Sequence, residues 1–438
     1  MLADGRLASG GQDGMIKLWP TGAAGEPVVL SQGGGDAVTA LAVLKDGRLA
    51  TSGQDGKIRL WPNVRTDDPV VFSHASGGRV PVTSLAVLSD GRLASGDDEG
   101  TISLWSEDTA RKPVAVLQHG SEVGRLVALK DGRLASSGED NADDKDGTIK
   151  VWSKEGTGDP VAVLRHGSPV SSLVALKDGR LASGGGDGKI KLWAKDVKGF
   201  IENPEKCLTL GSRVTSLAVL ADGRLAGGGE NGTIKLWPTE ALNSAAAQER
   251  GCAAGETLVL SPGSSNNDFE AVQSLAVLAD GWLASGGEDG LVKLWSTKFT
   301  GEPVVLSGLG SPGHELKGHG LGSGVSSLAV LPDGRLVSAG FDGALKLWLV
   351  NEQELIAALC LRAGRNLTKG EWARYVGRET PWQPSCRSFG VPSNWRTIDE
   401  HKGGAPALDN APAEAGSAAL PAPSAGIVNL SRGGALSR

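Results

Sequence analysis

The sequence predicts an all-β protein assembled from eight copies of one four-stranded unit. Three observations predict it. The phrase D-G-R-L-A-S-G-G-x-D-G-x-I-K-L-W recurs with its closing residue at Trp19, Trp61, Trp105, Trp152, Trp193, Trp237, Trp295 and Trp348. From the opening Asp to that Trp is 15 residues in seven copies, as in Asp4 to Trp19, and 21 in the fourth, Asp131 to Trp152, which carries a six-residue insertion. Upstream of every copy from the second onward stands V-x-x-L-A-V-L or a close variant, and its first Val precedes the Asp by eight positions each time, from Val38–Asp46 to Val325–Asp333. Constant spacing of this kind means one rigid unit reused.

Each element follows from the pattern in order. The apolar run VTSLAVL reads as a strand covered on both faces, and so as the innermost strand of its sheet. A D-G turn leads to a short strand, RLAS, and a second D-G or N-G turn leads to the alternating strand KIKLW. A more variable segment such as PVVLS or PVAVL follows as the outermost strand. Four antiparallel strands repeating every 41 to 58 residues between successive Trp make the blade of a β-propeller. The ring has eight blades if the first is completed, and seven blades or an open ring if it is not.

The first unit begins inside a blade: Met1-Leu2-Ala3-Asp4-Gly5 aligns with Val219-Leu220-Ala221-Asp222-Gly223, and the rest of the inner strand is missing. The expectation is an upstream continuation, the alternative being that a tail segment such as Gly426–Leu430 closes the ring. Residues 1–350 form the propeller on this reading. Residues 351–400 form a short helical appendix in which Leu355, Ile356, Leu359 and Cys360 recur at helical spacing and Thr368 with Glu371 makes a capping box. Residues 401–438, rich in Ala, Pro and Gly, read as a disordered tail. Inserts at 138–147, 238–271 and 307–324 break the uniformity, and loops are where such a ring varies its partners.

Composition excludes other classes. Gly and Pro supply 65 and 21 of 438 residues, below the share of unpatterned low-complexity chains, and the net charge is −6 with no basic run, which argues against a nucleic-acid footprint. No uncharged apolar stretch approaches a membrane span and the N-terminus has no signal-peptide pattern, so the chain reads as cytoplasmic. Cys207, Cys252, Cys360 and Cys386 are widely spaced and are expected as reduced thiols.

The core L-A-S-G-x-x-D-G-x-I-K-L-W resembles the WD-repeat β-propeller family over residues 1 to 350. The resemblance implies a structural hydrogen-bonded set of His, Ser or Thr, Asp and Trp, matched best by His166, Ser183, Asp187 and Trp193 in the fifth unit. The third unit has Glu99 and the sixth Asn231 at the Asp position, the His is absent before the second, sixth and seventh units, and the family's Asp after the Trp is missing throughout. The run R-N-L-T-x-x-E-W at Arg365–Trp372 resembles the segment ending the WD-repeat regions of large bacterial signalling proteins, in which an NTPase, kinase or caspase-like domain precedes the propeller.

No pattern carries catalysis. G-x-x-x-x-G-K at Gly184–Lys189 is followed by Ile190 where a phosphate-binding loop needs Ser or Thr. The acidic loop A-D-D-K-D-G-T-I fails as a calcium loop because Ala142 and Ser153 stand at the first and twelfth ligand positions. One Trp per unit at constant register reads as core, not as a stacking platform. The arginines of the D-G-R turns, with Trp282 in the seventh, would form a charged ring on one rim, open to an acidic partner or serving solubility, with no strong electrostatic steering implied. The expected function is therefore non-enzymatic, with no cofactor, no metal, no nucleic acid and no membrane: a platform for protein partners, which the resemblance implies is the sensing or autoinhibitory propeller of a bacterial signalling protein. A free-standing scaffold, a lectin or a propeller enzyme are the competing classes.

Overall fold

The computed structural model describes residues 2 to 350 except 3, 21–26, 32–34, 62–68, 75–78, 107–111, 140–146, 244–256, 262–270, 298–302, 307–323 and 349. The helical appendix, the tail and most of the three inserts lie outside the described residues.

Eight antiparallel sheets follow one another along the chain, each carrying one of the repeated Trp. In the second sheet the order is Val38–Val43, Leu49–Gly53, Lys57–Trp61, Val70–Ser73, running from the inner strand to the outer one. The third, fifth, sixth and seventh sheets repeat that four-stranded order. Among the described residues the first sheet has three strands, Leu7–Gly10, Met15–Trp19 and Val28–Ser31, and lacks the inner one. The eighth has Val325–Val330, Leu336–Gly340 and Leu345–Trp348, with no outer strand among the described residues. The outer strand of the fourth sheet, Ala162–Arg165, gains a parallel fifth neighbour, Gly199–Ile201, from the loop after Trp193.

Glycine is required where the turns demand it. Gly179 in the first turn of the fifth unit has φ 93° and Gly188 in the second has φ 74°, a region that favours residues without a Cβ, and the same two positions are left-handed in every unit. In the fifth unit an Asp side chain closes both turns, each accepting the amide two residues on: Asp178 Oδ1 that of Arg180 at 3.0 Å and Asp187 Oδ1 that of Lys189 at 3.1 Å.

Burial corrects one expectation. The strand buried throughout is the second, such as Leu181–Gly185, whereas the inner strand Val170–Ala175 is half-exposed at most positions. The second strand has neighbours on both edges and a sheet on each face, while the inner strand leaves one edge unpaired. The apolar core lies between sheets: Ile190, Leu192 and Leu208 of the fifth pack against Val214, Leu217 and Trp237 of the sixth. Seven such clusters join consecutive sheets from the first to the eighth. Each fully buried Leu or Ile in them contributes about 1.5–3 kcal/mol.

Every pairing of an inner strand with its second strand carries a register shift just after the initial Val, as between Val170 and Ser172. The extra residue of this bulge is re-aimed sideways. Thr39, Thr83, Ser171 and Thr215 occupy it and donate from their hydroxyls to the carbonyl of the initial Val in the next sheet, Val82, Val123, Val214 and Val272. The residue after it, Ser84, Ser172, Ser216 or Ser274, accepts the amide of a Leu one sheet further on at 3.1 Å. Consecutive inner strands are thus linked by side chains.

Cys207, on the strand Lys206–Thr209, is disulfide-bonded, its partner cysteine lying outside the described residues. The expectation of four reduced thiols does not hold there: spacing along the chain says nothing about which cysteines the sheets bring together.

Candidate functional site

The four residues singled out in the fifth unit meet in one place. The Trp193 indole N–H donates to Ser183 Oγ at 2.9 Å, Ser183 Oγ lies 2.8 Å from His166 Nδ1, and His166 Nε2 faces Asp187 Oδ1 at 3.5 Å. The Asp187 carboxylate can only accept, so the neutral imidazole that pairs with it carries its proton on Nε2 and accepts at Nδ1 from the Ser183 hydroxyl. Burial pushes the His166 imidazole below its usual pKa, with nearby Lys191 and Lys189 adding to the effect and Asp187 opposing it. Burial alone would raise the Asp187 carboxyl, but the contacts with His166, the Lys189 amide and Ser168 together hold it far below the carboxylate range. A buried neutral imidazole fixed between a hydroxyl and a carboxylate is a strut. It has no substrate-accessible nucleophile.

His166 follows the outer strand of the fourth sheet, while the other three residues belong to the fifth. The set is therefore a link between sheets. His119 repeats it in the fourth unit, with Nδ1 2.8 Å from Ser136 Oγ and the Trp152 indole donating to the same oxygen at 2.8 Å.

Where the set departs from this pattern, other residues make up the charge. In the third unit, where Glu99 replaces the turn Asp, the buried carboxylate is Asp97, two positions earlier: His74 Nδ1 lies 3.0 Å from Asp97 Oδ2, whose other oxygen accepts the Thr101 amide at 2.7 Å. In the second unit, which lacks the His, Arg59 reaches Asp55 at 2.6 Å, both side chains being buried. In the seventh, also without His, Lys293 reaches Asp289 at 2.7 Å. In the sixth the position is the neutral Asn231, which needs no cation; it accepts from Ser212 at 2.7 Å and from the Thr233 amide at 3.0 Å. Reading unit by unit missed Asp97 and Arg59. The signals were an Asp where other units have Gly, and an Arg where other units have Lys or Ser, in a unit whose Asp lacks a His.

The D-G-R arginines are not an open charged ring. Each pairs with the Asp of its own turn, as Arg224 does with Asp222 at 2.7 Å. Several also cross to the following sheet: Arg92 to the Lys154 carbonyl, Arg133 to that of Lys195, Arg180 to that of Leu242 at 2.8 Å, and Arg224 to that of Thr297 at 2.5 Å. Arg180 thereby caps the five-residue helix Thr239–Asn243. Trp282, in the Arg position of the seventh unit, packs against the apolar cluster that joins the seventh and eighth sheets. The structure spends these groups internally because guanidinium reach matches the distance to the neighbouring sheet, which linear spacing cannot reveal.

The described residues contain no group of three metal-ligating side chains. Their two best-formed pockets enclose about 20 and 10 Å³, room for a water molecule at most. No described helix is long and apolar enough to cross a membrane. Exposed apolar surface lies mainly on the outer strands, at Val28, Val29, Val70, Val71, Val304 and Val305.

The family description "WD domain, G-beta repeat" matches residues 26–62, 70–106, 111–153, 158–194, 205–238, 265–296 and 310–348. Among solved structures, the computationally designed Ika8 protein is similar at 27% identity and TM-score 0.57, covering 80% of this chain and 95% of that one. The C-terminal WD40 domain of Sif2 is similar at 18% identity and TM-score 0.60, covering 80% and 93%. A chain of a mitotic checkpoint complex is similar at 21% identity and TM-score 0.50, covering 72% and 87%. No curated protein matches the chain. With the repeat matched over more than half of its length and eight propeller sheets in its fold, the chain belongs to the WD40 family, whose propellers are typically platforms for protein interaction.

Proposed function

We propose that this chain is a non-catalytic platform for protein partners, serving as the sensing or autoinhibitory propeller of a bacterial signalling protein. The observation that carries the platform reading is how the repeated polar groups are used. The His–Ser–Trp sets, the Asp–Arg turns and the inner-strand hydroxyls bind neighbouring sheets or their own turns, so the repeat is a frame. What differs between units is the outer strands and loops, where partners are read. The signalling role rests on Arg365–Trp372, which resembles the segment closing propellers in proteins with an upstream effector domain.

The test takes the native polypeptide that carries these repeats, identifies any effector domain joined to them, and compares effector activity with and without the repeats. Release of activity on removing the repeats is the expected result. Unchanged activity, or a native polypeptide of only 438 residues, overturns the autoinhibitory role and leaves a free-standing scaffold.

A further inference from the structure

The inner strand of the fourth sheet, Glu122–Ala128, departs from the others along its unpaired edge. In the second, third, fifth and sixth sheets the bulge residue donates to the initial Val carbonyl of the next sheet. In the third, fifth, sixth and seventh the residue after it accepts a Leu amide of the next sheet. The fourth has Gly124 at the first of these positions and Arg125 at the second. Glycine has no hydroxyl and a guanidinium has no acceptor atom, so neither link can form. Among consecutive junctions from the second sheet to the eighth, the one between the fourth and fifth is the one that lacks both.

Hydrogen-bond donors are left over at that place. Leu173 of the fifth sheet holds the position of Leu126, Leu217, Leu275 and Leu328, whose amides go to Ser hydroxyls, but Arg125 stands where its acceptor belongs. The Arg125 side chain is exposed and makes no hydrogen bond or ion pair with the described residues. Ser137, its partner across the sheet, is fully buried, and its Oγ has no hydrogen-bond partner. Ser52, at the same position in the second sheet, lies 3.0 Å from the Thr39 hydroxyl, the group that Gly124 lacks. After their initial Val the inner strands are built from Ala, Ser, Thr, Gln, Gly, Leu and Val, and Arg125 is the one charged side chain among them. A lone cation thus sits on a neutral wall beside an amide that has lost its acceptor.

We infer that this edge is a binding site for a carboxylate, presented by an acidic side chain on an extended segment of a protein partner. The carboxylate accepts from the Arg125 guanidinium, whose planar fork matches it, and from the Leu173 amide, and so supplies the acceptor that Ser supplies at the neighbouring junctions. Charge complementarity selects the occupant: an acceptor-only anion matches an edge made of donors, and a basic segment is repelled. The inference rests on the platform reading and deepens it by naming the partner's chemistry and where it is held.

The test uses the full chain, deuterated and isotope-labelled, with the peptide N-acetyl-Gly-Gly-Glu-Gly-Gly-amide and its Gln counterpart. Nuclear magnetic resonance follows the Leu173 amide and the Arg125 Nε–H. Saturable shifts at both with the Glu peptide, and not with the Gln peptide, are the expected result. Arg125→Ala should abolish the response at Leu173, whereas Arg213→Ala, which removes another exposed arginine just before the sixth inner strand, should keep it. Arg125→Ser should also lose the response and should slow hydrogen exchange of the Leu173 amide several-fold, because serine restores the acceptor. Equal response to the two peptides, no response, equal loss in Arg213→Ala, or unchanged exchange in Arg125→Ser overturns the inference. So does a shift of the Arg125 Nε–H, with no peptide present, on changing Asp143, Asp144 and Asp146 together to Asn, since the chain's own acidic insert then fills the place. Failure here leaves the platform reading to its own activity test, which does not depend on Arg125.

Discussion

Arg59 Nη2 lies 2.6 Å from Asp55 Oδ2 with both side chains at or below 8% exposure, so the second sheet closes with a buried ion pair where the fifth uses His166 and Asp187. Removing the cation leaves a buried carboxylate whose pKa burial would raise; Arg59 and the Lys57 amide now hold it down. Arg59→Met is expected to cost about 3–5 kcal/mol, and Asp55→Ala with Arg59→Met distinctly less than the two single changes added together. Denaturant-dependent hydrogen exchange at Leu49–Gly53 is the measurement, because repeat arrays need not unfold in one step.

Ser183 carries two hydrogen bonds, one from Trp193 and one with His166, so Ser183→Ala strands two buried ring nitrogens. A loss of about 1–3 kcal/mol is expected, read as lowered thermal stability. The sixth sheet holds the reverse case: Gly227 stands at the Ser position and the buried Trp237 indole nitrogen has no partner. Gly227→Ser should stabilise by about 0.5–1.5 kcal/mol, the net worth of one hydrogen bond. An added Cβ would lie 3.0 Å from the flexible end of Ile190 and 3.1 Å from the Trp237 ring, so both must give by a few tenths of an ångström.

Gly185 touches the same set. A Cβ there would lie 2.3 Å from His166 Nε2 and 2.4 Å from Ser168 Oγ. Gly185→Ala is expected to destabilise by about 1–3 kcal/mol, and His166→Ala in the same chain should recover part of that loss. A double-mutant cycle by thermal unfolding checks it. Purely additive costs would show that the Cβ and the imidazole do not compete for space.

Acid should loosen the fifth sheet first through His166. Its folded pKa is lowered by burial, so the unfolded chain, titrating near about 6.5, binds more protons than the folded one as pH falls. The stability this group contributes is complete above that value and is lost as pH drops toward the folded pKa. Asp187, also lowered, acts in the same direction in a more acidic window, below about 3.9. Thermal midpoints at pH 7.5, 6.5 and 5.5 should fall more steeply for the native chain than for His166→Gln.

The pattern of the chain carried the frame. Eight Trp at constant distance from their turns, Gly at both turn positions and a Val eight residues before each Asp are local facts, and local geometry obeys them: the turns, strand order and sheet count follow directly. The set His166, Ser183, Asp187 and Trp193 could be named for the same reason, since its members keep fixed positions in the unit.

What the chain could not show in one dimension is which sheet each polar group serves. His166 leaves one sheet and bonds the next, Arg224 crosses to Thr297, and Thr215 turns through a bulge to the Val272 carbonyl. Arg59 and Asp97 acquire their roles only because the sheets bury an Asp that must find a cation or a buried His that needs an acid. The sequence by itself determined the repeated unit, because hydrophobic period and turn chemistry act over a few residues. Only the tertiary structure decided that charges expected on a rim are spent between sheets, because that depends on distances across residues far apart in the chain.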